Sequence, residues 1–468
     1  MNFTSAFDLF YALILILILP TILKGRVKSK NPELLKYYNA GIYTKLIGTI
    51  SFCSIYVFYY GGGDTTNYFV GVKACLEVLL NNPLDYLKLF TAEQGVELNF
   101  IFYKAKAYPP MYMLRDPRTM AVIKLSSIFA IPGLGGFYST SIILSLFSFS
   151  WIWKFYVFFR KRYPEKTKAI NLAVLYLPSS IFWASGIMKD TYTFCATCFI
   201  VFGIHQIFIA RKKSFSTFFK LILALYIIIT MKSYIMFALL PGLLIFTNFE
   251  RLKKIKSKFV KIILLPITFS FSIIIINALL FDSDDLFGKY SADNLLDEAA
   301  VQNADLKRSV YGENSFDIGT FEPTLDGVLS VFRPAINAAL FRPYITEVSN
   351  PTMLLSGLEN TITLSLAIWV LLIQPFSFLK SLRNDSFLIF CLLFTLTLAF
   401  GVGLSTANFG ALVRYKIPFL PFFIFLLLSK IKWLDNEVQL KKAPQNTEFK
   451  DEEVSDENFL INQSRKFL

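Results

Sequence analysis

Histidine is almost missing from this chain: His205 is the single one in 468 residues. One histidine excludes an HExxH zinc site, and a Ser-His-Asp triad would have to draw on a residue set inside an apolar run. Cysteine is sparse too, at Cys53, Cys75, Cys195, Cys198 and Cys391. All but Cys75 lie in apolar runs, and the Cys195/Cys198 CxxC has no second pair and no histidine beside it. Core packing accounts for it better than redox or metal chemistry. Charge is thin, with 17% charged against 54% hydrophobic residues. No stretch shows the ~10-residue alternation of a membrane β-barrel. The first ten residues hold no lysine or arginine and no small-residue cleavage site follows Leu23, so the first apolar run is expected to stay as a helix. No internal repeat of the kind common in secondary transporters is visible.

What the chain does have is apolar length. Its mean hydropathy is +0.52, and many separate runs approach the ~20 apolar residues that cross a bilayer. The expected fold is therefore an all-α, polytopic transmembrane helix bundle in a multi-pass membrane protein. The formal net charge of +14 does not call for nucleic acid as a partner. The basic residues cluster in short loops between apolar runs, which is what the positive-inside rule produces.

Those loops set the orientation. Lys24, Arg26, Lys28, Lys30 and Lys36 follow the first run and are expected inside, which puts the N-terminus outside. Arg160-Lys161-Arg162, Arg211-Lys212-Lys213, the basic stretch 251–261, and Lys380 with Arg383 continue the alternation. The reading gives about eleven spans, a cytoplasmic C-terminus, and two large outer-face loops at 61–136 and 282–354. The transmembrane domain covers 1–430, and 431–468 reads as a polar cytoplasmic tail expected to be mobile. The segment 121–131 is apolar but short and carries Lys124, and is read as an interfacial or re-entrant helix on the outer face.

With the topology fixed from basic loops alone, the remaining polar residues fall on one side. Asp64, Lys189, Asp190, Lys232, Arg342, Glu347 and Arg414 are all expected at the outer face, with span interiors nearly free of charge. Each has a plain alternative. Asp64 follows three glycines and is either a substrate-contacting carboxylate or an N-cap. Lys189 and Asp190 are adjacent, so they do not face one another on a helix, and each is expected to have a distant partner. They could also bind headgroups, and Asp190 could cap the span that follows. Lys232 could snorkel, Arg414 with Tyr415 could anchor at the interface, and Arg342 with Glu347 could form a structural pair. As a set they have a chemical sense: an acid can take a proton from a sugar hydroxyl, and cations can hold a phosphate leaving group.

The chain resembles bacterial polytopic glycosyltransferases of the GT-C type, among them lipid-linked sugar transferases and, more distantly, O-antigen polymerase-like proteins. Three stretches carry the resemblance: Gly63-Asp64-Thr65-Thr66-Asn67-Tyr68, the run Pro178-Ser179-Ser180-Ile181-Phe182-Trp183-Ala184-Ser185-Gly186 leading to Lys189-Asp190, and Arg414-Tyr415 with Pro418. It implies an inverting transfer of a sugar from a polyprenyl-phosphate donor, at the outer face of a bacterial cytoplasmic membrane, in cell-envelope polysaccharide biosynthesis. Asp64 is implied as the base. Lys189, Asp190, Lys232, Arg342, Glu347, Arg414 and Tyr415 are implied as substrate-binding, with membrane lipids as surroundings. The chain departs from members with paired acids in the first loop, because Asp64 has no acidic neighbour, so no metal or other cofactor is assigned. It also lacks a histidine in the second outer loop, unlike the O-antigen ligases. A polymerase of lipid-linked repeat units is the close alternative, and a flippase for lipid-linked oligosaccharide is one of a different class.

Overall fold

The computed structural model describes residues 3–212, 214–253, 295–308 and 314–435. Among them it is all helix and turn, apart from one isolated bridge between Ser315 and Asn408. Seven single helices are long and apolar enough to span a bilayer, or up to eight if a bent pair counts as one. The protein is thus an all-α polytopic helix bundle.

In chain order, α1 is Ala6–Lys30 and α2 is Leu35–Ser54, extended by a π-turn over Ile55–Tyr59. Five short helices fill the first loop: α3 Asp64–Asn81, α4 Pro83–Lys88, α5 Val96–Lys104, α6 Met111–Arg115 and α7 Pro117–Ala130. Then come α8 Phe137–Arg162, α9 Thr167–Ile170, α10 Pro178–Trp183, α11 Lys189–Ile204, α12 Phe215–Lys232 and α13 Tyr234–Lys253. The second loop contributes α14 Leu295–Leu306, α15 Leu325–Ser330 and α16 Phe332–Phe341. The last elements are α17 Pro351–Ile373, α18 Pro375–Asn384, α19 Ser386–Ser405, α20 Phe409–Tyr415 and α21 Leu420–Leu428.

The expected spans map onto these helices with two differences. The fourth, expected over 169–184, is not one helix: α9 runs into a π-turn at Asn171–Leu175 and restarts as α10. Pro178 explains the break, because it has no N–H to donate and pushes Leu177 into an extended conformation (φ −70°, ψ 115°). The eleventh is the bent pair α20 and α21, which turn by 72° around Pro418. The seventh, Tyr234–Phe249, is short but apolar. The eighth, expected over 262–281, lies outside the described residues, as do 282–294 of the second loop and 436–468 of the tail. One compact unit runs through to Asp435.

Aromatic packing forms much of the core. Phe155–Phe159, Phe159–Phe425 and Phe390–Phe422 meet edge-on with centroids 4.5–5.5 Å apart, and Phe387 stacks on Phe390 at 5.6 Å. Such geometry suits the ring quadrupoles. The segment read as interfacial or re-entrant is α7. It packs against α3, α8 and α12, and its Ser126 hydroxyl meets the Tyr192 hydroxyl at 2.8 Å inside the protein.

Segments assigned to one side on charge alone meet each other. Arg162 and Tyr163 both bond Asp385 at 2.7 Å, Lys166 pairs with Asp435 at 2.5 Å, and Lys430 bonds Ser381. All belong to stretches expected in the cytoplasm. Five of the residues expected on the opposite side, Asp64, Lys189, Asp190, Lys232 and Arg414, gather as well.

Candidate functional site

Three glycines set the position of Asp64. Gly61 has φ +66° and Gly63 φ +143°, and a Cβ on Gly63 would stand 2.8 Å from the Tyr56 ring, so the turn and the close approach both need glycine. The Thr66 hydroxyl accepts from the Gly63 N–H and bonds the Gly63 carbonyl, each at 2.9 Å, closing the start of α3. Asp64 is then the first residue of the helix rather than its cap. Its carboxylate faces outward and accepts a hydrogen bond from Arg414 Nη1 at 2.8 Å. The Asp64 side chain is 47% exposed and Arg414 20%. Arg414 Nε is buried without a hydrogen-bond partner among the described residues.

The Ser185–Gly186–Ile187–Met188 stretch carries the chain from α10 into α11. Gly186 has φ +102°, and a Cβ there would sit 2.6 Å from the Phe52 ring. Met188 is the N-cap of α11, so Asp190 is not. The two adjacent charges do take distant partners. Lys189 Nζ meets Asp116 Oδ2 at 3.1 Å, and Lys232 Nζ donates to Asp190 Oδ1 at 2.6 Å. The second pair is deeply buried, with side chains 7% and 4% exposed. Lys232 also lies 4.3 Å from the centre of the Tyr415 ring, a cation–π contact.

Asp116 does two jobs. Its carboxylate caps α7, accepting from the Arg118 N–H at 3.1 Å and from the Thr119 hydroxyl at 2.6 Å, while it holds Lys189. Burial pushes this carboxyl up, but the Lys189 ammonium, the Thr119 hydroxyl and the Arg118 N–H together outweigh it. They hold the carboxyl below its ordinary value of 3.8.

The chain joins these pairs: Lys189 precedes Asp190 at the start of α11, Arg414 precedes Tyr415 in α20, and Lys232 touches both Asp190 and Tyr415. Asp64, Lys189, Asp190, Lys232, Arg414 and Tyr415 therefore form a single cluster, with Asp116 added. Asp64, Asp116, Lys189, Arg414 and Tyr415 are partly exposed, whereas Asp190 and Lys232 are buried.

Arg342 and Glu347 stand apart from it. The Arg342 Nε donates to both Glu347 oxygens, at 2.9 and 3.1 Å, and its guanidinium lies 4.8 Å from the Phe316 ring centre and 5.4 Å from that of Phe409. The Arg342 carbonyl accepts from Lys416 at 3.3 Å. Among the described residues neither side chain bonds the Asp64 cluster. The pair fastens the second loop onto α20, the helix that carries Arg414.

The expectation of nearly charge-free span interiors needs correction at Lys45 in α2 and Glu359 in α17. The broken span supplies the reason. Lys45 donates to the Ala184 carbonyl at the C-terminal end of α10, and Glu359 accepts from the Ser179 N–H at 2.9 Å at its N-terminal end. Helix ends leave such backbone groups without partners, and each charge has the sign that suits the end it caps. Lys45 was legible as a charge in an apolar run; its partner was not. Asp116 carried a helix-start signal, Asp116-Pro117-Arg118-Thr119, that spoke of capping but not of Lys189. Among the described residues no three of His, Cys, Asp and Glu gather as metal ligands would.

No family of proteins, curated protein or solved structure matches this chain when it is compared with them.

Proposed function

We propose that this protein is a membrane-embedded glycosyltransferase. In this reading it moves a sugar from a polyprenyl-phosphate donor to a glycan or lipid-linked acceptor, at the outer face of a bacterial cytoplasmic membrane. One observation carries the reading: a half-exposed carboxylate, Asp64, stands among the cations Arg414 and Lys189 at one end of a helix bundle.

The chemistry divides among these groups. Asp64 takes the proton of the acceptor hydroxyl, whose oxygen bonds to the anomeric carbon of the donor. The bond from that carbon to the phosphate oxygen breaks, and its electron pair leaves with the phosphate. Arg414 and Lys189 hold that phosphate and stabilise its growing charge. Attack from the face opposite the leaving group inverts the anomeric centre. Without donor, Arg414 holds Asp64 itself. A donor phosphate offers Arg414 a better-matched anion for its fork of donors and frees Asp64 to act as base. The buried Asp190–Lys232 pair fixes the start of α11 beside Lys189, Lys232 touches the Tyr415 ring next to Arg414, and Arg342 with Glu347 fixes α20.

The test is a transfer assay on purified protein in lipid, using a lipid-linked sugar extract as donor. Asp64→Asn and Lys189→Ala are expected to lose transfer, and full activity in both would overturn the site. The same assay separates the close variant, since a polymerase lengthens lipid-linked products whereas a transferase adds one sugar. A flippase is favoured by the broken spans at α9–α10 and α20–α21, because discontinuous helices often mark transport sites. It would move the lipid-linked sugar across a vesicle membrane and form no new bond.

A further inference from the structure

We propose that α4 and α5, in the first loop, lie flat in the headgroup layer of the bilayer with an apolar stripe sunk in lipid. The stretch reads as a polar loop in sequence, yet its outward faces are not polar. On α5, Leu98, Ile101 and Phe102 point into the protein. Directly opposite, at i, i+4 and i+7, stand Val96, Phe100 and Tyr103, at 88%, 62% and 70% exposed. Glu97 and Lys104 line one edge of that stripe and Asn99 the other, all exposed.

The neighbouring helix repeats the arrangement. On α4, Asp85 and Tyr86 are buried while Leu84 and Leu87 are exposed, with Lys88 beside them. The two helices are tied together. Lys104 of α5 pairs with Asp85 of α4 at 2.7 Å, and Asn81 at the end of α3 donates to the Ala105 carbonyl after α5 at 3.0 Å.

A helix with protein on one side and water on the other carries polar residues outward. These helices carry large apolar side chains outward and confine charge to the flanks. That is the pattern of a helix lying in the plane of an interface, with its apolar face in the acyl boundary and its charged flanks among headgroups. Tyrosine and lysine at the rim suit the same layer. The chain spans a membrane, so the occupant of this surface is a phospholipid leaflet. The surface is independent of the Asp64 cluster and of any activity assigned to it.

The test uses the full chain in nanodiscs of phosphatidylcholine and phosphatidylglycerol. Leu84→Cys, Val96→Cys and Phe100→Cys variants each carry an NBD fluorophore, and Glu322→Cys, exposed in the second loop, is the reference. The native cysteines are all buried, so the parent protein treated alike is the blank. The three labels are expected to emit at shorter wavelength than the reference, and to be quenched about threefold more by lipid bearing a nitroxide near its carbonyls. Water-like emission without nitroxide quenching overturns the proposal. Blue-shifted emission without quenching overturns it too, because the face would then be covered by protein, a second copy included. All three side chains point away from the fold, and an unchanged melting temperature in each variant confirms that folding is intact.

Discussion

Asp64 and Arg414 are 350 residues apart in sequence and 2.8 Å apart in the fold. The contact joins the first loop to the bent pair α20–α21. Asp64→Asn keeps the shape and an acceptor oxygen but removes the base. It is expected to lower transfer about 10²–10⁴-fold. The melting temperature should fall little, because Asp64 is 47% exposed and asparagine keeps an oxygen for Arg414 Nη1. Arg414→Lys keeps the charge and loses the fork, so it should weaken donor binding more than turnover. Steady-state transfer kinetics against donor concentration separate the two, and an Asp64→Asn enzyme with parental rates would sink the assignment.

The buried pair should behave in the opposite way. Lys232 and Asp190 are almost without solvent, so removing one partner strands the other charge. Lys232→Met and Asp190→Leu are each expected to cost about 3–5 kcal/mol, while the double substitution recovers much of the loss. Thermal unfolding in lipid of the parent, the two singles and the double closes the cycle. Additive losses in the double would mean that the two charges do not depend on each other.

The helix class was legible in sequence because apolar length is a local signal. So was the convergence of Asp64, Lys189, Asp190 and Arg414, which followed once the loops were assigned to one side. Partner choice was not legible. Nothing near Lys189 in sequence points to Asp116, and nothing near Asp190 points to Lys232, since both pairings depend on how α7, α11 and α12 pack. Hydropathy also ran straight through the break at Pro178. An apolar average cannot register a lost backbone bond, and that lost bond is what brings Lys45 and Glu359 into the span interiors.

Acid should loosen the Lys189–Asp116 contact through Asp116. Its carboxyl is held below the ordinary 3.8 in the folded protein. The stability it contributes is therefore complete above that value and is lost as pH falls through the lower folded one. Melting temperature measured from about pH 6 down to about pH 3 should fall more steeply in the parent than in Asp116→Asn, and the two curves should converge at the acid end. Parallel curves would show that the Asp116 charge adds nothing to the fold.

The capping of α10 gives the last test. If Lys45 and Glu359 serve the free backbone groups at its two ends, what matters is their hydrogen bonds rather than a moving charge. Glu359→Gln keeps an oxygen for the Ser179 N–H and should be tolerated, whereas Glu359→Leu leaves that N–H unpaired and should cost about 1–3 kcal/mol. Lys45→Met strands the Ala184 carbonyl and should cost a similar amount, about 1–3 kcal/mol. A transport role makes a different demand, because charge inside a span is then part of the path. In that case Glu359→Gln would abolish movement of lipid-linked sugar while leaving the melting temperature untouched. Thermal unfolding and a vesicle translocation assay on the same three variants decide between a cap and a carrier.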